Sequence, residues 1–383
     1  MKLIKQSGEI FIINIKLFIK YLIRITKITK RSRKDNFIMV QHKESIREFK
    51  KALEQFSYSG FKVDIFINAY ENKSVKPVKL LQPVLKEKDP VLLCITKDNI
   101  HTIKSQVEYH RKLGIKCFAY IDNMSQDGTF EWLKDQPDVS LFYTEEIFND
   151  SLKDAWKRQV TDFLGYDRWY LALDPDELFI YPGIEKKNIN MFIDFLEDNN
   201  IKSVFSPLLD MYSNEKIYQE NEDTKNMIEK YCYFDTDTYK MTKSFLAYHV
   251  FGGPRLRLFS TKEKSFLCSL EKYALIKLTK DMLIGTHQNY PNKHNFYTKG
   301  AIAFLLHYKF LPADNKKFKE LLESGIFSHN KGLNFEYKRY VEAFEKNSDL
   351  TFFYEKSQKI NSSMDLLKIN IIDKNVINKL LDD

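Results

Sequence analysis

RWYLALDPDELF, residues 168–179, is an apolar run that stops abruptly on acid. Trp169–Leu173 has the length and unbroken apolar character of a strand buried on both faces. Asp174 and Asp176 follow it, with Pro175 stiffening the link between them, and Glu177 comes next. Two carboxylates held this close repel each other unless a cation bridges them or one carries a proton. Their oxygens suit Mg2+ or Mn2+, ions that take one or two carboxylates together with substrate phosphates. A turn of solvated acids, or a helix N-terminus bearing Asp and Glu, accounts for the same letters. The position at the mouth of a buried strand favours the cation.

Upstream, runs of the same kind recur. Val91–Ile95 reads as a buried parallel strand, Asn99 to Leu113 as an amphipathic helix stopped by Gly114, and Lys116–Ile121 as a second strand. Thr129–Lys134 reads as a short helix, Val139–Tyr143 as a third strand, and Leu152–Leu164 as the helix before the fourth. Alternating strands and helices predict an α/β fold with a mostly parallel sheet covered on both faces. Such sheets bind ligands beyond their C-terminal strand ends. Those ends are polar here: Thr96, Lys97, Asp98 and Asn99 follow the first strand, and DNMSQDGT, residues 122–129, follows the second. On its own, DNMSQDGT is a connection in which Asp127 or Thr129 caps the next helix. Its functional reading makes Asp122 the acceptor for a ligand N–H. Neither GxGxxG nor GxxxxGK[ST] occurs, so a dinucleotide fingerprint and a P-loop are both excluded.

The ordered set VLLCITKDN, GIKCFAYIDNMSQDGT and RWYLALDPDELF resembles the nucleotide-binding half of family 2 glycosyltransferases with the GT-A fold. The branch it resembles carries a DNxSxDGT turn and a D-x-D-E box. The likeness covers about residues 90–180 and continues more loosely through PLLDMYSNE, YFDTDTY, GGPRLRLF and FLLHYKF. It departs at Lys97-Asp98-Asn99, where the family commonly has an Arg-Asn-Glu-like segment. The resemblance implies a nucleotide-diphosphate sugar donor, with Thr96 and Asp122 at the base and ribose. It also implies Asp174 at the ribose or a metal-bound water, and Asp176 on a divalent ion. A cation on the departing diphosphate stabilises its developing charge.

The C-terminal half is where such enzymes build their acceptor side. Asp210, Asp235 and Glu177 are the candidates for the base that deprotonates an acceptor hydroxyl. Gly252–Arg257 reads as a turn entering a strand, which places Arg255 and Arg257 on one face, either clamping a diphosphate or pairing with surface acids. His249, His287 and His307 are the notable histidines. His287 follows a strand-like run and is the candidate third metal ligand, beside Asp174 and Asp176. His307 falls in an expected helix, Ala301–Phe310, as a core histidine, and Lys272 and Lys309 are further candidates to meet phosphate. The stripe Leu333, Tyr337, Tyr340 and Phe344 reads as helical core.

The chain has 383 residues and a net charge of +8. That excess sits in residues 1–35, and the remainder balances, so a nucleic-acid partner is not expected. In the arm, Lys16, Lys20, Arg24, Lys27 and Arg31 share one helical face, opposite Phe11, Ile15, Phe18, Leu22 and Ile25. The longest unbroken apolar stretch is Ile10–Ile13, far short of the ~20 residues a spanning helix needs. The arm suits an anionic membrane surface, or packing on its own domain with a solvated basic face. Four cysteines without a CxxC pair point to a reducing compartment.

Together these readings divide the chain into four parts: the arm at 1–35, an extension and linker at 36–89, a GT-A domain at 90–310, and a helical region at 311–383. Within the domain, 90–180 is the nucleotide half and 181–310 the acceptor half. The activity expected is metal-dependent transfer, with Mn2+ or Mg2+, from a nucleotide-diphosphate sugar to a glycan or lipid-linked acceptor. By analogy it belongs to bacterial surface-polysaccharide synthesis at the cytoplasmic face of a membrane. Two rivals are a different metal-dependent nucleotide-using transferase and a non-catalytic membrane-associated partner protein with a degenerate site.

Overall fold

The computed structural model describes residues 70–81, 88–148, 152–217, 227–244, 247–260, 268–290, 301–325 and 331–372. The arm, most of the extension and the last eleven residues of the expected helical region lie outside the described residues.

Strand β1 (Lys76–Lys79) precedes the alternating run: β2 (Val91–Thr96), α1 (Ile100–Leu113), β3 (Cys117–Asp122), α2 (Thr129–Asp135), β4 (Val139–Tyr143), α3 (Lys153–Leu164) and β5 (Arg168–Leu173). Strands β4, β3, β2 and β5 lie side by side and parallel, and β1 joins antiparallel at the β4 edge. Both faces are covered, because successive side chains of a strand point opposite ways. Leu92, Cys94, Phe118, Tyr120, Trp169 and Leu171 enter one apolar core with Ile103 and Val107 of α1. Leu93, Ile95, Ala119, Ile121, Tyr170 and Ala172 enter another with Trp156 and Val160 of α3. Gly114 ends α1 in the left-handed region at φ 103°, and its N–H and that of Ile115 return to the carbonyls of Arg111 and His110.

After β5 the chain makes the Asp174-Pro175-Asp176 turn and enters a second sheet as β6 (Glu177–Ile180). Then follow α4 (Ile189–Asp198), β7 (Ser203–Val204), β8 (Leu208–Asp210), α5 (Met227–Lys230), β9 (Tyr233–Phe234), β10 (Lys240–Lys243) and β11 (Tyr248–Phe251). Helix α6 (Gly253–Phe259), β12 (Leu275–Leu278) and β13 (Phe304–His307) come next. Helices α7 (Pro312–Glu323) and α8 (Lys331–Lys346), β14 (Gln358–Lys359) and a 3-10 turn at Ser363–Lys368 are the last elements among the described residues. In the central sheet β12 lies antiparallel between β5 and β7. The second sheet runs β6-β13-β8, with β13 antiparallel to β6 and parallel to β8. The architecture is thus mixed α/β with a mostly parallel central sheet flanked by helices. No helix among the described residues is long and apolar enough to cross a membrane.

Two local expectations are corrected. Residues 304–307 form a fully buried strand between two others, not a helix. A short apolar run does not separate the two by periodicity, and pairing on both sides settles it. Residues 253–259 form a helix rather than a strand. Pro254 suits its first turn, and Gly252 at φ 124° brings the backbone against residue 238, where a Cβ would stand 2.2 Å from the Thr238 carbonyl oxygen. On a helix Arg255 and Arg257 point to different sides, and they take different partners.

Candidate active site

The C-terminal ends of β2, β3 and β5 meet at one edge of the central sheet. Thr96 stands opposite Asp122 in the β2–β3 register, and Cys94 opposite Leu173, which brings Asp174 to the same edge. The loops after β2 and β3 are stitched together. Asp98 donates its N–H to Ser125 Oγ and accepts from the Gln126 N–H, while Asp127 accepts from the N–H groups of Ile100 and Thr129. Asp98 and Met124 hold positive φ without being glycine, a backbone cost of the kind that gathers at functional sites. Asp122 is fully buried. Its Oδ1 accepts from the Ser125 N–H, whereas its Oδ2 has no partner among the described residues. Burial therefore pushes the Asp122 carboxyl up, against the Ser125 hydrogen bonds. Thr96 Oγ1 is 3.2 Å from Asn99 Nδ2, which donates to it.

The acidic turn is held from beneath by α1. Gln106 Nε2 donates to the carbonyls of Asp174 (2.6 Å) and Glu177 (3.0 Å), and its Oε1 accepts from the Tyr120 hydroxyl. Tyr109 donates to the Phe179 carbonyl, and His110 Nε2 accepts the Phe179 N–H. Gln106, Tyr109 and His110 share a helical face, one turn apart. Sequence reading passed over them: polar residues at one-turn spacing on an amphipathic helix carry no local mark of what they will hold.

Lys272, just before β12, reaches the turn from across the sheet. Its Nζ is 2.7 Å from Asp174 Oδ2 and 2.6 Å from Glu177 Oε1. Glu177 Oε2 accepts the Asp174 N–H, closing the turn on itself. Burial raises the Asp174 carboxyl, but the Lys272 ammonium, with Lys153 and Lys157, outweighs it and holds the group well below the ordinary carboxylate range. For Glu177, at 1% exposure, burial prevails and the carboxyl is pushed up. Asp176 lies beside His307, with Oδ2 3.4 Å from Nε2. Burial opposes the Asp176 charge, and the imidazole more than offsets it, holding the carboxyl low. His307 itself is pulled down by burial but carried up to about 9 by Asp176 and Asp210.

One oxygen or nitrogen each from Asp176, Glu177 and His307 lie within 4.8 Å of one another. Two carboxylates and an imidazole form a donor set that suits Mn2+ and its neighbours. A carboxylate oxygen has lone-pair capacity beyond one hydrogen bond, so the Glu177 contacts do not exhaust it. These residues fit a divalent cation. Of the expected ligands, the group contains Asp176; Asp174 is engaged by Lys272, and His287 directs Nδ1 to the Glu271 carbonyl at 3.0 Å. His307 joins the site because the β6-β13-β8 register sets it opposite both Glu177 and Asp210.

The other candidates are engaged as follows. Asp210 accepts from Arg255 Nε and from His307 Nδ1, each at 2.7 Å. Asp235, fully buried, accepts from the Tyr212 and Thr238 hydroxyls and from Arg257. Arg257 also donates to the Phe352 carbonyl and covers the Tyr354 ring. Arg255 and Arg257 thus neutralise separate buried carboxylates. Lys309 lies 3.5 Å from Glu336 Oε1, and His249 Nδ1 lies 3.0 Å from Glu271 Oε1.

No protein-family model matches the chain, and no curated protein sequence matches it. Solved structures do align with it. One is a mannosyltransferase from Pyrobaculum calidifontis in complex with GDP-Man and Mn2+, at 13% identity and a TM-score of 0.25, over 44% of this chain and 48% of that one. Another, from Bacillus anthracis and assigned as a glucose-1-phosphate thymidylyltransferase, was solved with sucrose; it aligns at 15% identity and a TM-score of 0.22, over 35% of this chain and 61% of that one. The chain therefore spans about half of the first and under two thirds of the second.

Proposed function

We propose that this chain is a metal-dependent glycosyltransferase that moves a sugar from a nucleotide-diphosphate donor to a hydroxyl of a glycan or lipid-linked acceptor. The observation that carries the reading is the Asp176–Glu177–His307 group, set at the same sheet edge as the unpartnered, buried Asp122 Oδ2. Asp122 and Thr96 take the base and ribose of the donor, the nucleotide's N–H supplying the hydrogen bond that Asp122 lacks. Asp176, Glu177 and His307 would hold Mn2+ or Mg2+. Bound there, the ion neutralises charge that develops on the leaving diphosphate. Lys272 keeps Asp174 and Glu177 in place and shields them from repelling that diphosphate. Of the three base candidates, Asp210 and Asp235 have both oxygens committed to cationic or hydroxyl partners. Glu177 is likewise engaged, by Lys272 at Oε1 and by the Asp174 N–H at Oε2, so none of the three is assigned as the base. Residues 90–310 form the transferase body in this reading.

The test is thermal unfolding of the full chain with UDP or GDP, with and without Mn2+. The expected result is a nucleotide-dependent rise in Tm that requires Mn2+ and is lost in Asp176→Asn. Full retention of the shift in that variant removes the metal assignment. We further propose, from the sequence alone, that the arm at 1–35 docks the enzyme on an anionic membrane surface during surface-glycan assembly. Vesicles of phosphatidylglycerol are expected to sediment the intact chain and to leave a chain lacking residues 1–35 in the supernatant.

A further inference from the structure

We propose that Asp210, held in turn by Arg255, is a positioning residue that fixes the His307 ring with Nε2 toward Asp176. This rests on the reading of Asp176, Glu177 and His307 as a cation site. The strand register makes the arrangement. Asp210 stands opposite His307 in the parallel β8–β13 pair, and His307 stands opposite Glu177 in the antiparallel β13–β6 pair. Residues opposite one another on paired strands share a face, so the three side chains form one row.

Asp210 is 1% exposed and makes its contacts inside the protein. Oδ1 lies 2.7 Å from His307 Nδ1, and Oδ2 lies 2.7 Å from Arg255 Nε. A carboxylate held by a guanidinium is ionised and only accepts, so Nδ1 must carry the proton. Nε2 is then the nitrogen presented to Asp176, 3.4 Å from its Oδ2. Arg255 is anchored further back, 3.4 Å from Glu336 Oε1, which also accepts the Tyr340 hydroxyl. An ionic chain therefore runs from α8 through α6 and β8 to the ring at the end of β13. Asp210 so engaged acts through His307 and not on an acceptor hydroxyl. Carboxylates that orient a ligating imidazole this way typically change metal affinity by about 10–100-fold.

The probe is Mn2+ alone, titrated into the full chain and followed by the electron paramagnetic resonance signal of the free ion. Asp210→Asn is expected to weaken Mn2+ binding by about 10–100-fold. In the His307→Gln background, Asp210→Asn is expected to add nothing, because its effect passes through the ring. An undiminished Asp210→Asn effect in that background overturns the proposal, since a merely structural role persists without His307. Should Asp210→Asn fail to fold, ring nitrogen spectra of the wild-type chain decide the matter, with Zn2+ as a diamagnetic stand-in. A proton on Nδ1 and a Zn2+-induced shift confined to Nε2 support the proposal; metal on Nδ1, or no shift at either nitrogen, overturns it. Asp176→Asn separates the two readings. Mn2+ binding unchanged in Asp176→Asn removes the cation site itself, whereas binding lost there and retained in Asp210→Asn removes only the positioning role.

Discussion

His110 shows how a single side chain is committed by its surroundings. It is fully buried, Nδ1 lies 2.7 Å from the Gln106 carbonyl, and Nε2 takes the Phe179 N–H. The ring is therefore a neutral tautomer with its proton on Nδ1, and burial lowers its pKa from 6.5 to about 4. The unfolded chain binds this proton below pH 6.5, while the folded chain does not until about 4. Stability from this group is thus complete above 6.5 and drains away as pH falls toward 4. The free-energy gap between wild type and His110→Gln is expected to narrow by about 3 kcal/mol over that window. Denaturant unfolding of both proteins at a series of pH values checks it; a gap that does not move refutes the assignment. Sequence reading singled out three other histidines because nothing local marks His110 as the acceptor for a backbone N–H.

At the scale of elements, α1 and the acidic turn form one unit. The apolar spacing of α1 made the helix legible, but that spacing says nothing of what its polar residues hold. Gln106 supplies both amide hydrogens to carbonyls of the turn and accepts a buried hydroxyl. Gln106→Ala leaves those groups buried without partners, at about 1–3 kcal/mol for each. The variant is expected to lose a few kcal/mol of unfolding free energy and, in addition, to bind Mn2+ more weakly than its fold-matched parent. Calorimetry and metal titration on the same preparation check both; full-strength Mn2+ binding sinks the idea that α1 sets the turn. Helix α6 makes the complementary point. Its two arginines alternate in sequence like strand residues, yet the segment is a helix, with Gly252 packed on residue 238 and Pro254 in its first turn, and it delivers them to Asp210 and Asp235.

At the scale of the whole molecule, the last described residues, 347–372, are interlocked with the rest. Strand β14 pairs with β9, Ile360 donates its N–H to the Cys232 carbonyl, and Asn370 donates to the carbonyls of residues 236, 237 and 239. Phe352 fills an aromatic cluster with Tyr212, Phe259, Phe310, Phe318 and Tyr340. Lys317 of α7 reaches Asn99 in the loop after β2, at 2.6 Å. Truncation after residue 346 uncovers that cluster and strips Arg257 of the Phe352 carbonyl. The shortened chain is expected to unfold at a lower temperature than the full chain and to be cut faster by protease. Limited proteolysis and calorimetry test this, and an unchanged Tm and cleavage rate would show the segment to be dispensable.

From residue 91 to 173 the alternation of strands and helices was readable directly, with boundaries within a residue or so of those observed. Each element there is announced by its own neighbours, through buried runs and one-turn spacing. The acidic turn and DNMSQDGT were likewise visible as strand-end signals. The tertiary structure alone decided the partners: Lys272 on Asp174, Gln106 under the turn, Arg255 behind Asp210, and His307 on a strand rather than a helix. Those pairings follow from how elements far apart in the chain pack and pair with one another. Local periodicity fixes which way a side chain faces within its element, and carries no record of what will stand opposite it.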